Sequence, residues 1–135
     1  MAARPLKRLL GRLRGVAARG AQGEALACRH LEAAGLIVLE RNYRCRSGEV
    51  DIVARDGEAT VFVEVKERHA ASHGEGHEAV TFGKRRRIIR AARLYAAAHS
   101  LSEDPIRFDV VSIDWHAGGA PRIRHDRGAF DSAGR

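Results

Sequence analysis

The fold of this chain is decided by residues 48–66, which read GEVDIVARDGEATVFVEVK. Two runs with apolar residues at alternate positions, Glu49 to Arg55 and Glu58 to Val65, flank the dipeptide Asp56-Gly57. Asp-Gly suits a two-residue turn in which both central residues have positive φ, so the stretch predicts a β-hairpin. Such a turn pairs Arg55 with Glu58 and fixes the register of both strands.

Alternation then divides the side chains of the hairpin between two faces. The register places Asp51 opposite Phe62, and Glu49 opposite Glu64. One face is wholly apolar and is assigned to the core: Val50, Ile52, Ala54, Ala59, Val61, Val63 and Val65. The other face gathers four charged side chains: Glu49, Asp51, Glu64 and Lys66. Val53 and Phe62 on this second face indicate that a helix covers part of it.

The charged face has the composition of a metal site. Three carboxylates at this spacing repel one another, and one lysine cannot neutralise them all. We expect Asp51 and Glu64 to bind Mg²⁺ or Mn²⁺, with Glu49 as an additional acidic neighbour, because these ions prefer oxygen ligands. Lys66 is expected to hold a scissile phosphate or to lower the pKa of an attacking water. The alternative is a polar hairpin face that simply meets solvent.

Helices and further strands are predicted around the hairpin. A helix that bears Glu24 and Leu31 on one face is expected to end at Gly35. Strand is expected at Ile37–Leu39 and Tyr43–Arg44, with a turn at Ser47-Gly48. Residues 67–78 are expected to form a loop whose histidines, at positions 69, 73 and 77, are exposed and do not bind metal. Thr81 can cap a helix that runs to about His99, and Ile106 to Ile113 is a strand. This order predicts an α/β fold, a mixed β-sheet flanked by helices.

A chain of 135 residues is expected to form one domain, which we place at residues 20–115. Residues 1–19 form a basic N-terminal extension with leucines at helical spacing, and a transit peptide or membrane-surface helix remains an alternative for it. Residues 116–135 form a tail that could add a short strand at Ile123. No apolar run is long enough to span a membrane, so we expect a cytoplasmic protein with two reduced cysteines.

The charge of the chain favours a polyanionic partner. The formal net charge is +7 and the sequence pI is about 10.4, which suits nucleic acid. Candidate phosphate contacts are Arg41, Asn42, Arg44, Arg68, Lys84, Arg85, Arg86 and Arg87. A solvated run of charges is an equal alternative for Arg85 and Arg86. Glu24 lies in line with an apolar helix stripe, which suggests that it meets a polar site, although placement near a helix N-terminus also explains a carboxylate.

Several motifs of the chain resemble a known family. Asp51 followed by Glu64-Val65-Lys66 is similar to the D…(D/E)xK motif of the restriction-endonuclease-like superfamily. The set that includes Gly20 to Ala25, Arg41 to Arg44, Phe62 to Arg68, Ala79 to Lys84 and Arg107 to Val111 resembles the bacterial YraN family. Two positions depart from that family's pattern, His73 before Gly74 and Phe82 after Thr81.

The resemblance implies a restriction-endonuclease-like fold related to archaeal Holliday-junction resolvases, with Glu24, Asp51, Glu64 and Lys66 at catalytic positions. It implies a metal-dependent endonuclease that acts on DNA, with branched or junction DNA as a candidate substrate. A homodimer would suit a junction-cutting enzyme. The rival function is a non-catalytic nucleic-acid-binding module that keeps the fold and the charge.

Overall fold

The computed structural model describes residues 14–69, 80–116 and 118–135, with side chains from residue 20 onward. Its elements in chain order are helix α1 (Arg14–Ala33), strands β1 (Ile37–Cys45), β2 (Gly48–Asp56) and β3 (Ala59–His69), helix α2 (Phe82–Ala98), and strands β4 (Ile106–Trp115) and β5 (Arg122–Phe130). The strands form one five-stranded sheet in the order β1-β2-β3-β4-β5. Neighbours pair antiparallel except β3 and β4, which are parallel because α2 connects them. The predicted α/β class with a mixed sheet is confirmed.

Each face of the sheet packs against one helix. The α1 side of the core contains Leu31, Ile52, Val63 and Val111, among others. The α2 side has its own buried cluster, built from Val50, Val53, Phe62, Phe108, Ile88, Ala91, Ala92 and Tyr95. Each helix therefore buries the central part of its face of the sheet, as is usual for strands between two helical layers.

The hairpin register differs by two residues from the sequence prediction. Asp56 pairs with Ala59, and Ile52 pairs with Val63, so the turn consists of Gly57 and Glu58. Only Gly57 of these two has a positive φ, +61°, which fits a turn of type II′ with glycine first. The predicted turn with Asp56 as its first central residue is therefore wrong.

The β2–β3 pairing ends at Ile52 and Val63, although both strands continue. Beyond that point the alternation of faces is lost. Val50 lies with Val53 and Phe62 beneath α2, and its predicted place on the face of Ile52 is wrong. The end of this pairing is where the candidate site begins.

Most helix and strand predictions need only small changes. Thr81 caps α2 as expected, with its Oγ1 accepting a bond from the backbone N–H of Lys84 at 3.2 Å. Strand β1 is continuous, with an irregularity between Val38 and Glu40, and the following turn is Arg46-Ser47, one residue earlier than expected. Strand β3 runs to His69, three residues into the predicted loop. His73 and His77 lie outside the described residues.

The two ends of the chain also contribute to the fold. Helix α1 includes residues 14–19, which the sequence analysis placed in the N-terminal extension, and residues 1–13 lie outside the described part. Strand β5 is nine residues long, and its Phe130 is buried and stacks on Phe108 at 5.0 Å between ring centroids. The sheet therefore extends into the predicted tail. No helix in the described part of the chain is long and apolar enough to cross a bilayer.

Candidate functional site

Asp51 and Glu64 meet where strands β2 and β3 separate. Because the pairing stops one residue earlier, the Asp51 side chain takes the place of a backbone acceptor, and its Oδ2 accepts a hydrogen bond from the N–H of Val65 at 2.8 Å. The carboxyl group of Glu64 lies close enough to Asp51 for its charge and its hydrogen bonding to raise the pKa of Asp51. Glu64 is 5% exposed. The predicted register sets Asp51 opposite Phe62 and Glu49 opposite Glu64, whereas the register of the structure brings Asp51 next to Glu64.

This contact changes the acidity of Asp51. Burial and the neighbouring charge of Glu64 raise its pKa to about 7, and the hydrogen bond to Glu64 adds to the rise. The Val65 N–H and the Lys84 charge oppose it but are outweighed. Near neutral pH a large fraction of the Asp51 carboxyls therefore keeps its proton, because ionisation beside Glu64 is costly.

Lys84 contacts Glu64 of this pair from the first turn of α2. Its Nζ forms an ion pair with Glu64 Oε1. Burial works to lower the pKa of Lys84, but the hydrogen bond and charge of Glu64 outweigh it, and the pKa ends above its usual range. Lys84 was predicted as a phosphate contact, and its pairing with Glu64 was missed because it joins β3 to the first turn of α2, which are distant in sequence.

Glu24 reaches the site from the α1 side and is held in place by β1. Its Oε1 accepts bonds from Arg41 Nε at 2.8 Å and from Asn42 Nδ2 at 3.0 Å. Burial raises the pKa of Glu24, and the charge of Asp51 contributes to the rise although Arg41 opposes it. Arg41 and Asn42, predicted as phosphate contacts, thus hold a predicted catalytic carboxylate.

The remaining acidic and basic candidates lie around the pair. Glu49 is exposed and forms an ion pair with Arg44 at 3.3 Å, so it does not join the buried carboxyls. Lys66 follows Glu64 by two residues on β3 and lies on the same face of that strand. Within the described residues no three His, Cys, Asp or Glu side chains converge as a metal-binding group. Asp51 and Glu64 therefore form a close acidic pair, and Glu49 lies outside it.

The basic residues at the start of α2 make different contacts from one another. Arg85 donates to the carbonyl oxygens of Val80 at 2.8 Å and Gly134 at 2.9 Å, which ties the helix to the end of the chain. Arg86 lies over the ring of Phe82. Arg87 is exposed and lines a depression of about 480 Å³ together with Arg44, Glu49 and Lys84. Arg68 lies on β3 and lines a larger groove on the other side of the carboxyl pair.

A second buried charge cluster was missed by the sequence analysis. Asp109 is fully buried, and its carboxylate accepts hydrogen bonds from Arg107 at 2.8 and 2.9 Å and from the backbone N–H of Gly128. The ring of His125 forms a further hydrogen bond with this carboxylate at 2.7 Å. Burial alone would raise the pKa of Asp109, but these bonds outweigh it and lower that pKa. Arg107 also reaches Asp56, so the cluster joins three strands and has a structural role. The motif Arg107-Phe108-Asp109 was its only signal in the sequence.

Comparison with known proteins places the chain in a family. The model of the family described as "Uncharacterised protein family UPF0102" matches residues 23–113, which include Glu24, Asp51, Glu64, Lys66 and Lys84. A UPF0102 protein of Nocardia farcinica is 47% identical over 122 residues, covering 90% of this chain and 96% of that protein. One of Beutenbergia cavernae is 50% identical over 109 residues, covering 81% and 92%, and one of Geobacter sulfurreducens is 46% identical over 114 residues, covering 84% and 89%. The chain belongs to the UPF0102 family, which is the YraN family indicated by its sequence motifs.

Proposed function

We propose that this protein is a Mg²⁺- or Mn²⁺-dependent endonuclease that hydrolyses phosphodiester bonds in DNA, including branched or junction DNA. The observation that carries the proposal is the contact between the Asp51 and Glu64 carboxyls, which raises the pKa of Asp51 to about 7. Placing the partly buried Asp51 beside the buried Glu64 costs stability, and such costs are concentrated at functional sites. The surrounding basic surface suits a phosphate-bearing substrate.

The carboxyl pair fits a divalent cation. Asp51 and Glu64 would hold it, because Mg²⁺ typically uses one or two protein carboxylates and completes its shell with water and substrate phosphate. A cation would also replace the proton of Asp51 and relieve the repulsion between the two groups. When bound, such an ion supplies Lewis-acid polarisation of a phosphoryl oxygen and an acidified water.

The chain's own side chains would then orient the substrate. Lys66, on the same face of β3 as Glu64, would donate to a non-bridging oxygen of the scissile phosphate and stabilise the charge that develops there. Both bonds that Glu24 receives from Arg41 and Asn42 fall on Oε1, so Oε2 is the atom that would orient an attacking water. Lys84 would move from Glu64 towards a phosphate oxygen when a cation takes its place.

A non-catalytic nucleic-acid-binding module is the second candidate, and one observation favours it. Glu64 is already paired with Lys84, so the site is partly neutralised without a metal ion. In such a module the carboxyl pair and Lys84 would serve the fold, and the basic surface would bind nucleic acid without turnover.

A cleavage assay separates the two functions. Branched, single-stranded and duplex DNA are incubated with wild type, Asp51→Asn and Glu64→Gln in Mn²⁺, in Mg²⁺ and in EDTA, and binding is measured in parallel by fluorescence anisotropy. We expect wild type to cut at least one substrate only with metal, and each variant to lose about 100-fold or more in rate while binding persists. Binding by all three proteins with no cleavage of any substrate would establish the second candidate.

A further inference from the structure

Strand β5 presents a row of arginines on one face of the sheet. Ile123 packs into the core on the α1 side, and His125 bonds there to Asp109. Because side chains alternate along a strand, Arg122 and Arg124 face the opposite side, where α2 lies. Helix α2 packs mainly over β1 and β2 and also covers Phe108 and Phe130, whereas the end of this face that bears Arg122 and Arg124 forms the wall of a groove.

The groove is large and basic. It has a volume of about 780 Å³. Its cationic lining residues are Lys66, Arg68, Arg85, Arg122, Arg124 and Arg127. The acidic ones are Asp114 and Asp126, and Asp126 is paired with Arg124 at 3.0 Å. Arg124 nevertheless keeps 78% of its side chain exposed. The lining therefore carries a clear excess of positive charge that solvent and a ligand can reach.

The groove is continuous with the carboxyl pair at two points. Lys66 lies two residues beyond Glu64 on β3, and Arg85 follows Lys84 on α2. On the other side of the pair, Arg44, Lys84 and Arg87 line the smaller depression. Strands in a sheet are about 4.8 Å apart, so the groove extends the basic surface roughly 10 Å from β3 to β5. Basic surface thus flanks the carboxyl pair on both sides.

We propose that the β3–β5 groove binds the sugar–phosphate backbone of a nucleic-acid strand as it leaves the Asp51–Glu64 pair, with Arg122 and Arg124 as the phosphate contacts furthest from it. The inference rests on the proposed function for the choice of a nucleic acid as the polyanion. It assigns binding residues to β5, which lies beyond the residues that the family model matches. The bound nucleic-acid strand crosses the protein's β-sheet from the β1–β2 side to the β4–β5 side.

The test compares two double variants that remove the same charge. The groove variant, Arg122→Ala with Arg124→Ala, removes two positive charges from the groove wall. The α2 variant, Arg90→Ala with Arg93→Ala, removes two exposed arginines that line neither the groove nor the smaller depression. Binding of fluorescent duplex DNA, and of RNA of the same sequence, is measured in EDTA across a salt series. EDTA prevents cleavage, so binding is read separately from activity.

We expect the groove variant to bind about tenfold or more weakly, and its slope of log affinity against log salt to fall by about 1.8, because each lost phosphate contact contributes about 0.9. The α2 variant should change the affinity by less than about threefold, since it alters only the long-range field. Replacing Arg122 and Arg124 by lysine should restore binding, which excludes misfolding as the cause of the loss.

Equal losses in the two double variants, or no loss in the groove variant, would overturn the inference while leaving the proposed nuclease intact. A wild type that binds neither nucleic acid would overturn the proposed function and this inference together. Weaker binding of DNA alone, or of RNA alone, by the groove variant supports the inference and identifies which polymer the groove accepts.

Discussion

Asp51→Asn should make the folded protein more stable at alkaline pH, although it removes a proposed catalytic group. Asparagine keeps an oxygen that can accept the Val65 N–H, so the local geometry is preserved. It removes the charge that opposes Glu64. The ordinary pKa of 3.8 is raised to about 7 in the folded protein. A difference of about 3 pKa units corresponds to at most about 4 kcal/mol.

The sign of the pH dependence follows from proton binding. Between about pH 4 and pH 7 folded wild type holds a proton that the unfolded chain has released, so wild-type stability falls as the pH rises through this window. The amide of the Asp51→Asn variant cannot titrate, so the variant escapes this loss. The advantage of the variant should therefore grow from about pH 4 to about pH 7 and level off above that, on top of a constant offset from the amide itself.

Urea unfolding in EDTA at several pH values measures this effect, with unchanged m values as the check on two-state behaviour. Glu103→Gln, an exposed carboxylate beyond the far end of α2, is the matched control and should leave the pH slope unaltered. Parallel stability curves for wild type and Asp51→Asn, or a growing disadvantage of the variant at high pH, would refute the raised pKa of Asp51.

Three further changes test other parts of the structure. Lys84→Met should destabilise the protein by about 1–2 kcal/mol near pH 8, which is less than for a fully buried ion pair because Lys84 is half exposed. Thermal unfolding would measure the loss, and an unchanged midpoint would mean that the ion pair contributes nothing. Asp109→Asn should lower the free energy of unfolding by about 3–5 kcal/mol, because it leaves Arg107 with one carboxylate partner, Asp56. A drop in Tm of less than a few degrees would contradict the structural role of this cluster. Glu24→Gln should slow cleavage without changing the affinity for DNA, and a loss confined to affinity would place Glu24 in binding instead.

Local sequence signals predicted the elements well. The cap at Thr81, the inner face of α2 and the two strands of the hairpin all follow from short-range rules of turn chemistry and alternation. The register did not follow, because Asp56-Gly57 and Gly57-Glu58 are both acceptable turns and differ by two residues in the pairing they set. Packing of both faces decides between them, and that information is not local.

The sequence identifies residues of the candidate site but not how they contact one another. Asp51 and Glu64 were identified from the hairpin and the motif, whereas their direct contact depends on the early end of the β2–β3 pairing. The partnership of Lys84 with Glu64 depends on how α2 packs over the sheet. Such long-range pairs require the tertiary structure.

The most direct test of the proposed metal centre is calorimetric titration of Mn²⁺ into wild type and Asp51→Asn at about pH 6, in two buffers of different ionisation enthalpy. With the pKa of Asp51 at about 7, most wild-type molecules hold a proton on Asp51 at that pH. A protonated carboxyl group must lose its proton to bind a cation. We expect wild type to bind Mn²⁺ with release of nearly one proton, and the variant to bind at least about tenfold more weakly without that release. An absence of binding to wild type, or equal affinity and equal proton release in both proteins, would contradict the account.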